Sequence, residues 1–376
     1  MSFGARLGSF YAAFLAVYGV QIPFWPVWLE GKGLTPTDIG LIVAVTVGAR
    51  MIGNPLAAHI ADRSGERRRP MLALSALSLA AYGLFAFTDG FWTILAVSVL
   101  SSMLFPPMMA LGESLTMSGV ARIGIDYGRV RLWGSLSFIV TATLSGHVLV
   151  EAPPQAILWL VLATVALTGA ACLILPDLRS DAAPVAAGLP IALVMADRRL
   201  LLMLAAAGLI QGSHAVYYAF GTLHWEAAGY GDDVIGLLWA LGVVCEIVLF
   251  AFGRALLCRV DAPRLLALAG GLAAVRWLTL GATTVLPAVI AAQSLHAFSY
   301  AAAHLAAIHI IAASVAPGLS ATAQSLYAAL VMGFALGVML LVSGPLYQAI
   351  AGGAYFAMAA AASAGGLAAA VLASRK

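Results

Sequence analysis

A series of apolar runs long enough to cross a lipid bilayer constrains this chain most. A membrane-spanning helix needs about 20 apolar residues, and inside the bilayer a backbone satisfies its hydrogen bonds only as a helix or a closed barrel. Charged residues make up 9% of the sequence, well below the share of about a quarter in a soluble domain. We therefore predict an all-α membrane protein with twelve transmembrane helices. The predicted spans are 7–29, 38–61, 70–88, 91–117, 130–150, 155–175, 200–226, 233–257, 264–283, 286–312, 318–346 and 353–373.

A basic segment at 58–70, A-H-I-A-D-R-S-G-E-R-R-R-P, orients these spans. Short loops rich in arginine stay on the cytoplasmic side of a membrane. With both termini in the cytoplasm, 16 of the 19 Lys and Arg residues fall on that side, Lys32 falls outside, and Arg50 and Arg276 lie within spans. The net charge of +3 thus reflects topology, and nucleic acid is not an expected partner. We predict a multi-pass protein of the inner membrane that contacts the lipid bilayer.

A weak internal repeat suggests that the chain has two related halves. A shift of 196 residues superposes Gly33 on Gly229 and Ile39-Gly40-Leu41 on Ile235-Gly236-Leu237. Proline, glycine and charged residues return together between the two copies, as in a connecting segment. We predict two pseudo-symmetric six-helix bundles, at 1–175 and 200–376, joined by a cytoplasmic loop at 176–199.

The segment between the second and third spans also resembles a motif of the major facilitator superfamily. Its pattern D-R-x-G-x-R-R joins two membrane helices near residue 60, although Ala58 stands where the family form has glycine. A generic topogenic loop is the alternative interpretation. The resemblance implies the major facilitator fold and a conformational gate that includes Asp62, Arg63, Gly65 and Arg67.

A second stretch, Y-G-R-V-R-L-W-G-S-L-S-F at 127–138, resembles lactose permease. Arg131 matches its sugar-binding arginine, Phe138 matches a tryptophan that stacks on the sugar, and Glu113 matches the partner glutamate. By the same resemblance, three residues of the second half match charged groups or the histidine of that permease: Glu246, Arg276 and His296.

Two departures from lactose permease point to the phenylpropionate permease branch. Ser299 replaces a proton-carrying glutamate, and Arg50 is an additional charge. Together with R-L-W-G-S, Q-G-S-H-A-V-Y-Y and L-H-A, they make the chain resemble that branch more closely. The resemblance implies a proton-coupled importer of small, often aromatic, organic acids.

Polar residues inside the spans give an argument that does not depend on the resemblance. A charge at the centre of a membrane helix costs about 2.5–3.5 kcal/mol, so such residues need partners or a wet cavity. Four charged residues of this kind lie inside the spans: Arg50, Glu113, Glu246 and Arg276. The alternative interpretation is that these residues only tie helices together. Two spans also carry polar stripes with steps of three, four and four residues, which place each stripe on one helix face. The stripes are Gln211, His214, Tyr218 and Thr222, and Gln293, His296, Tyr300 and His304.

These features predict a monomeric secondary transporter of a small molecule, without cofactor, metal or enzymatic activity. No nucleotide-binding loop is present, and the histidines are not spaced like a zinc site. We expect the substrate-binding residues to be Tyr18, Arg50, Glu113, Arg131, Phe138, Gln211, His214, Tyr218, Trp239, Gln293, His296 and Tyr300. We expect the proton-coupling residues to be Glu246, His296, Arg276 and His214, with Glu246 coupled to His296 as the preferred pair.

Three other functions remain open at the level of sequence. A sugar or nucleoside symporter would use Glu113 and Arg131 to bind hydroxyl groups. A drug-efflux antiporter would move its solute in the opposite direction. A membrane sensor would bind a ligand without moving it.

Overall fold

A computed structural model describes residues 1–176, 195–315 and 320–374, apart from the side chains of Asp62, Ser64, Ser320 and Ala321. The described chain is built from helices joined by short turns. Most of the predicted loop at 176–199 lies outside the described residues.

The described residues form eleven apolar segments long enough to cross a membrane, and the last of them, Thr322–Ser374, is 53 residues long. A turn at Ala351–Gly353 divides this segment into two helices, so the prediction of twelve spans is confirmed. The helices are α1 (Phe3–Gly31), α2 (Pro36–Ser64), α3 (Arg68–Phe87), α4 (Phe91–Ile123), α5 (Tyr127–Leu149), α6 (Gln155–Leu173), α7 (Arg198–Ala227), α8 (Asp232–Leu257), α9 (Ala262–Ala282), α10 (Leu286–Ser314), α11 (320–350) and α12 (Ala354–Ser374).

Side-chain caps fix the first turn of several helices. The Asp126 carboxylate accepts a hydrogen bond from the Arg129 amide at 3.1 Å, and Asp261 accepts one from the Arg264 amide at 2.9 Å. A carboxylate at this position accepts hydrogen bonds from amides that have no partner inside the helix. Its negative charge also interacts favourably with the helix dipole. The two caps define the starts of α5 and α9, which are the ends that the sequence predicts to face the cytoplasm.

Four of the long helices are irregular, and the irregularities lie near the polar residues. The α4 helix is interrupted at Phe105, just before Pro106 and Pro107, because proline cannot donate the helical hydrogen bond. The α7 helix is interrupted at Ser213 and His214. The α10 and α11 helices contain wider π-helical turns, at Ala297–Ala302 and Ala328–Ala335, and such turns often occur at functional sites.

The chain packs as two compact units. The first contains Met1–Asp38, Val45–Ala186 and Tyr230–Ala240, and the second contains Ile39–Ala44, Ala187–Gly229 and Leu241–Lys376. In the first unit α1 packs along α5, and in the second α9 packs along α12. A Cβ atom added at Gly270 of α9 would lie 2.5 Å from the Cα of Gly366 in α12. Membrane helices use small residues in this way to approach each other closely.

Candidate functional site

In the first unit, a stripe of aromatic residues on α1 packs against α3 and α4. The rings of Phe14 and Phe105 stack with centroids 4.7 Å apart, and Tyr18 lies 6.0 Å from Phe105. Tyr82 of α3 meets Phe105 edge-on at 6.1 Å, and it lies 6.5 Å from Trp25. Phe14, Trp25 and Phe105 are buried, whereas Tyr18 is only half-buried. The stripe thus forms an aromatic wall with Tyr18 at its accessible edge.

Arg50 of α2 lies beside this wall. Its charge interacts electrostatically with Tyr18 and Tyr82. Its Nε atom is buried without a hydrogen-bond partner, and no carboxylate among the described residues forms an ion pair with it. Gln21 of α1 donates a hydrogen bond of 2.8 Å to the Tyr82 hydroxyl. A half-buried arginine without an ion partner, in a membrane helix, is a group that can hold an anion.

Arg131 differs from Arg50 because it has a carboxylate close by. The distance from its Nε to Glu113 Oε1 is 3.6 Å, and both side chains are about one-third exposed, at 32% and 31%. The guanidinium also lies 5.4 Å from the ring centroid of Tyr11, whose hydroxyl is 3.1 Å from Thr116 Oγ1. The predicted partners Glu113 and Arg131 therefore lie close together, and their opposite charges offset each other.

Two further aromatic residues were predicted at the binding site. Phe138 is 8% exposed, and its carbonyl oxygen would lie 2.8 Å from a Cβ atom added at Gly19 of α1. Trp239 is 4% exposed. A ring-stacking role for either residue stays a prediction.

In the second unit, Arg276 of α9 is fully buried and hydrogen-bonded. Its guanidinium donates to Gln293 Oε1 at 2.7 Å and to Ser299 Oγ at 3.1 Å, and it lies 2.7 Å from His296 Nδ1. The rings of Tyr217 and Trp277 each lie 4.4 Å from its Cζ, close enough for cation–π interactions. These contacts compensate for the cost of burying the charge.

The hydrogen bonds assign the protonation state of His296. A guanidinium only donates, so Nδ1 of His296 must accept from Arg276 and carries no proton. The Nε2 atom of a neutral imidazole is then protonated, and it donates to Glu246 Oε1 at 2.7 Å. His296 therefore lies as a neutral spacer between a fixed cation and the carboxylate of Glu246.

His214 of α7 is held in the same way. Its Nδ1 lies 3.2 Å from the Ile210 carbonyl oxygen and 3.1 Å from that of Gln211, so Nδ1 donates. Its Nε2 lies 3.1 Å from Ser299 Oγ, and in the neutral form it accepts the one hydroxyl proton of Ser299, which also lies in reach of the His296 carbonyl oxygen at 3.3 Å. This pattern also corresponds to a neutral imidazole.

The two predicted polar stripes of α7 and α10 meet in this unit. Gln211 donates to the carbonyl oxygen of Tyr300 at 3.1 Å, and the rings of His214 and His296 lie 5.6 Å apart. The other stripe contacts are Tyr218 stacked on His214, Tyr300 stacked on His296, Gln293 donating to the Tyr217 hydroxyl at 3.0 Å, and His304 bound to the Tyr327 hydroxyl at 3.2 Å.

Some residues of these clusters were not predicted as site residues. Tyr217 and Trp277 enclose Arg276, Ser299 joins it to His214, and Tyr82 lies next to Arg50. The interruption of α7 and the π-helical turn of α10 change the angle between successive side chains, so a constant step of 100° per residue does not place Tyr217 or Ser299. The adjacent tyrosines in Q-G-S-H-A-V-Y-Y were the available signal for Tyr217.

The predicted gate residues lie at the end of α2 and in the turn that leads to α3. Gly65 has a left-handed conformation with φ of 67°, which glycine adopts without strain. Arg67 is 7% exposed, donates to the Ala61 carbonyl oxygen at 2.8 Å, and donates to Ser114 Oγ at 3.2 Å. Arg63 is exposed, and the side chain of Asp62 is outside the description. Arg67 thus ties the turn to α4.

No cluster of three or more potential metal ligands occurs among the described residues.

Comparison with known proteins gives consistent matches across the chain. The profile of the MFS_1 like family matches residues 5–358. A probable 3-phenylpropionic acid transporter of Escherichia coli (strain K12) is 34% identical, over 93% of this chain and 92% of the relative. The maltose permease of Geobacillus stearothermophilus is 28% identical, over 90% of this chain and 86% of its own length. The crystal structure of the nucleoside transporter NupG superposes with a TM-score of 0.86 at 15% identity, and covers 100% of both chains.

Proposed function

This chain belongs to the MFS_1 like family of the major facilitator superfamily, and from its buried charges we propose that it imports a small organic acid together with protons. As a family member it is a multi-pass membrane protein and a secondary transporter of a small molecule, with the major facilitator fold, and it is not an enzyme. The identity of the solute, the coupling ion and the direction of transport belong to the proposal.

The observation that carries the proposal is the unpaired charge of Arg50. Holding an uncompensated cation inside a membrane span is costly. Arg50 has no carboxylate partner among the described residues, whereas Arg131 has Glu113. A substrate carboxylate would supply the missing charge and would fit the planar guanidinium with two hydrogen bonds.

The aromatic wall suggests what the rest of the substrate looks like. Phe14, Tyr18, Tyr82 and Phe105 form a wall of ring faces and edges, and Arg50 acts electrostatically on its two tyrosines. Offset or edge-on packing against such rings favours a flat apolar group. The 34% identical relative is named for 3-phenylpropionic acid, an aromatic monocarboxylate, which supports this class of substrate.

For the coupling step we propose Glu246 as the proton-binding group. Its carboxylate lies at the end of the Arg276–His296 chain, and it can gain a proton while Arg276 keeps its bond to His296. His296 bonds both Arg276 and Glu246 as a neutral side chain, and His214 bonds Ser299, which accepts from Arg276. The remaining predicted residues, Gln211, Tyr218, Gln293 and Tyr300, line this network.

The transport cycle we propose is alternating access by a monomer in the inner membrane, with both termini in the cytoplasm. The bundles at 1–175 and 200–376 would rock about the binding site, and the turn containing Asp62, Arg63, Gly65 and Arg67 would act as the gate. A ligand that binds both states unequally shifts the balance between them.

Uptake of radiolabelled 3-phenylpropionate into proteoliposomes tests the proposal. With an alkaline lumen, the wild type should accumulate the acid faster than protein-free liposomes, which report passive entry of the neutral acid. Arg50→Gln should reduce entry to the protein-free rate. Movement of the acid out of the lumen while protons flow in would indicate an efflux antiporter, and binding without any flux would indicate a sensor.

The pair formed by Glu113 and Arg131 favours a second candidate, a sugar or nucleoside symporter. A carboxylate and a guanidinium side by side can bind hydroxyl groups as acceptor and donor. Competition by neutral sugars or nucleosides, without competition by carboxylates, would support this candidate over the organic acid.

A further inference from the structure

We propose that Arg50, Tyr18 and Tyr82 form a binding site for a single carboxylate, and that Gln21 orients the Tyr82 hydroxyl toward it. The site rests on the proposed function, because it specifies how the anionic substrate is held. Gln21 and Tyr82 are the residues it adds, Gln21 as a positioning residue and Tyr82 as a direct ligand.

Gln21 and Tyr82 are joined by a hydrogen bond whose direction can be assigned. An amide nitrogen only donates, so the Tyr82 oxygen accepts at 2.8 Å. The hydroxyl proton of Tyr82 is therefore not used in this bond and is available to another acceptor. Tyr82 is 4% exposed, and a buried donor is normally paired.

The hydroxyl proton of Tyr82 needs an acceptor other than Gln21. The described side chains give Tyr82 no hydrogen bond besides the one from Gln21. Arg50 acts electrostatically on both Tyr82 and Tyr18, and its own Nε is buried without a partner. A free phenol proton on Tyr82 and an unpaired guanidinium that acts on the same tyrosine favour an anionic acceptor, since hydrogen bonds to a charged group are the stronger ones.

The charge of the cluster limits the charge of the ligand that it can hold. Arg50 is the cation of this cluster, and Arg131 is already next to Glu113 at 3.6 Å. One unpaired positive charge balances one carboxylate, and a second carboxylate would lie against the ring wall of Phe14 and Phe105 without a counter-charge. The site should therefore select an aromatic monocarboxylate over a dicarboxylate of similar size.

Calorimetric titration of the purified full-length protein tests the proposal, with 3-phenylpropionate, its neutral amide and a phenyl dicarboxylate as probes. Tyr82→Phe should weaken 3-phenylpropionate binding about tenfold or more, because it deletes one hydrogen bond to a charged group. Tyr355→Phe is the matched control. The hydroxyl of Tyr355 is buried without a partner, so its loss should leave binding unchanged.

Gln21→Leu separates a positioning role from an independent contact. Alone it should weaken carboxylate binding several-fold, and in the Tyr82→Phe background it should have no further effect, because residues that act through one another are not additive. Melting temperatures of all variants, measured in parallel, show whether each remains folded. We also expect the wild type to bind the amide and the dicarboxylate more weakly than it binds 3-phenylpropionate.

Additive losses from Gln21→Leu and Tyr82→Phe would overturn the positioning role. Unchanged binding by folded Tyr82→Phe, or equal affinity for the dicarboxylate, would overturn the site. These outcomes differ from failure of the proposed function, in which the wild type itself would bind no carboxylate.

Discussion

At the scale of the residue, the direction of each hydrogen bond decides which groups can carry a proton. Arg276 can only donate, so it fixes the neutral form of His296, which in turn donates to Glu246. The sequence identified Glu246 and His296 as a pair but gave both a titrating role. The hydrogen bonds separate their roles, because a proton on His296 Nδ1 would displace Arg276, whereas a proton on Glu246 would not.

This separation predicts different effects of two glutamine substitutions. His296→Gln offers an oxygen to Arg276 and an N–H to Glu246, so uptake driven by a pH gradient should persist at a reduced rate. Glu246→Gln cannot take up a proton and should abolish gradient-driven accumulation while exchange of internal for external substrate continues. Loss of accumulation in His296→Gln, with exchange intact, would show that the histidine itself carries the proton.

Arg50 and Arg131 should also differ when each is replaced by lysine. Lysine keeps the charge but loses the planar pair of donors. Arg50→Lys should weaken 3-phenylpropionate binding about tenfold, whereas Arg131→Lys retains an ion pair with Glu113 and should change affinity less. Binding constants from calorimetry compare the two. A larger effect at Arg131 would place the carboxylate there instead.

At the scale of the element, apolar length predicted the helices, and local irregularity shaped the sites. Most helix ends lie within a few residues of the prediction, but α4 extends to Ile123 because moderately polar residues after 117 still continue the helix. The π-helical turn at Ala297–Ala302 could not be predicted from a regular period. It is one reason why Ser299 was seen only as a missing carboxylate, and not as the link between Arg276 and His214.

The close packing of α8 against α10 gives a prediction for Gly242. A Cβ atom there would lie 3.1 Å from Cδ2 of His296, so Gly242→Val should displace the imidazole from Glu246 and slow proton-driven uptake. The strain should also lower the stability by about 1–3 kcal/mol. Gly271→Val is the matched control, because a Cβ atom at Gly271 meets no atom within 4 Å. Equal uptake by both variants would argue against a role for the His296 position.

At the scale of the whole molecule, the proposed substrate-binding residues and the proposed proton-binding residue lie in separate clusters. The family resemblance predicted the superfamily and the fold from the arginine-rich turn and from the stretch at 127–138. It did not predict which arginine lacks a partner, because ion pairing depends on three-dimensional neighbours. Coupling between the clusters then requires a conformational change that both ligands bias.

The gate turn provides a prediction at this scale. Asp62→Asn should impair transport several-fold and leave the affinity for 3-phenylpropionate nearly unchanged, because it alters the balance between two states and not the binding site. Uptake rates and calorimetric affinities of the same preparation compare the two effects. Parallel losses of transport and affinity would contradict a gating role.

The proposed transport moves an organic anion and a proton together through this protein. The most direct measurement records the luminal pH of proteoliposomes after 3-phenylpropionate is added outside, with no initial pH gradient, and subtracts the signal of protein-free liposomes. We expect a saturable acidification by the wild type that Glu246→Gln removes, although this variant still exchanges the labelled acid. Entry of the acid through the wild type without acidification beyond the protein-free signal would contradict it.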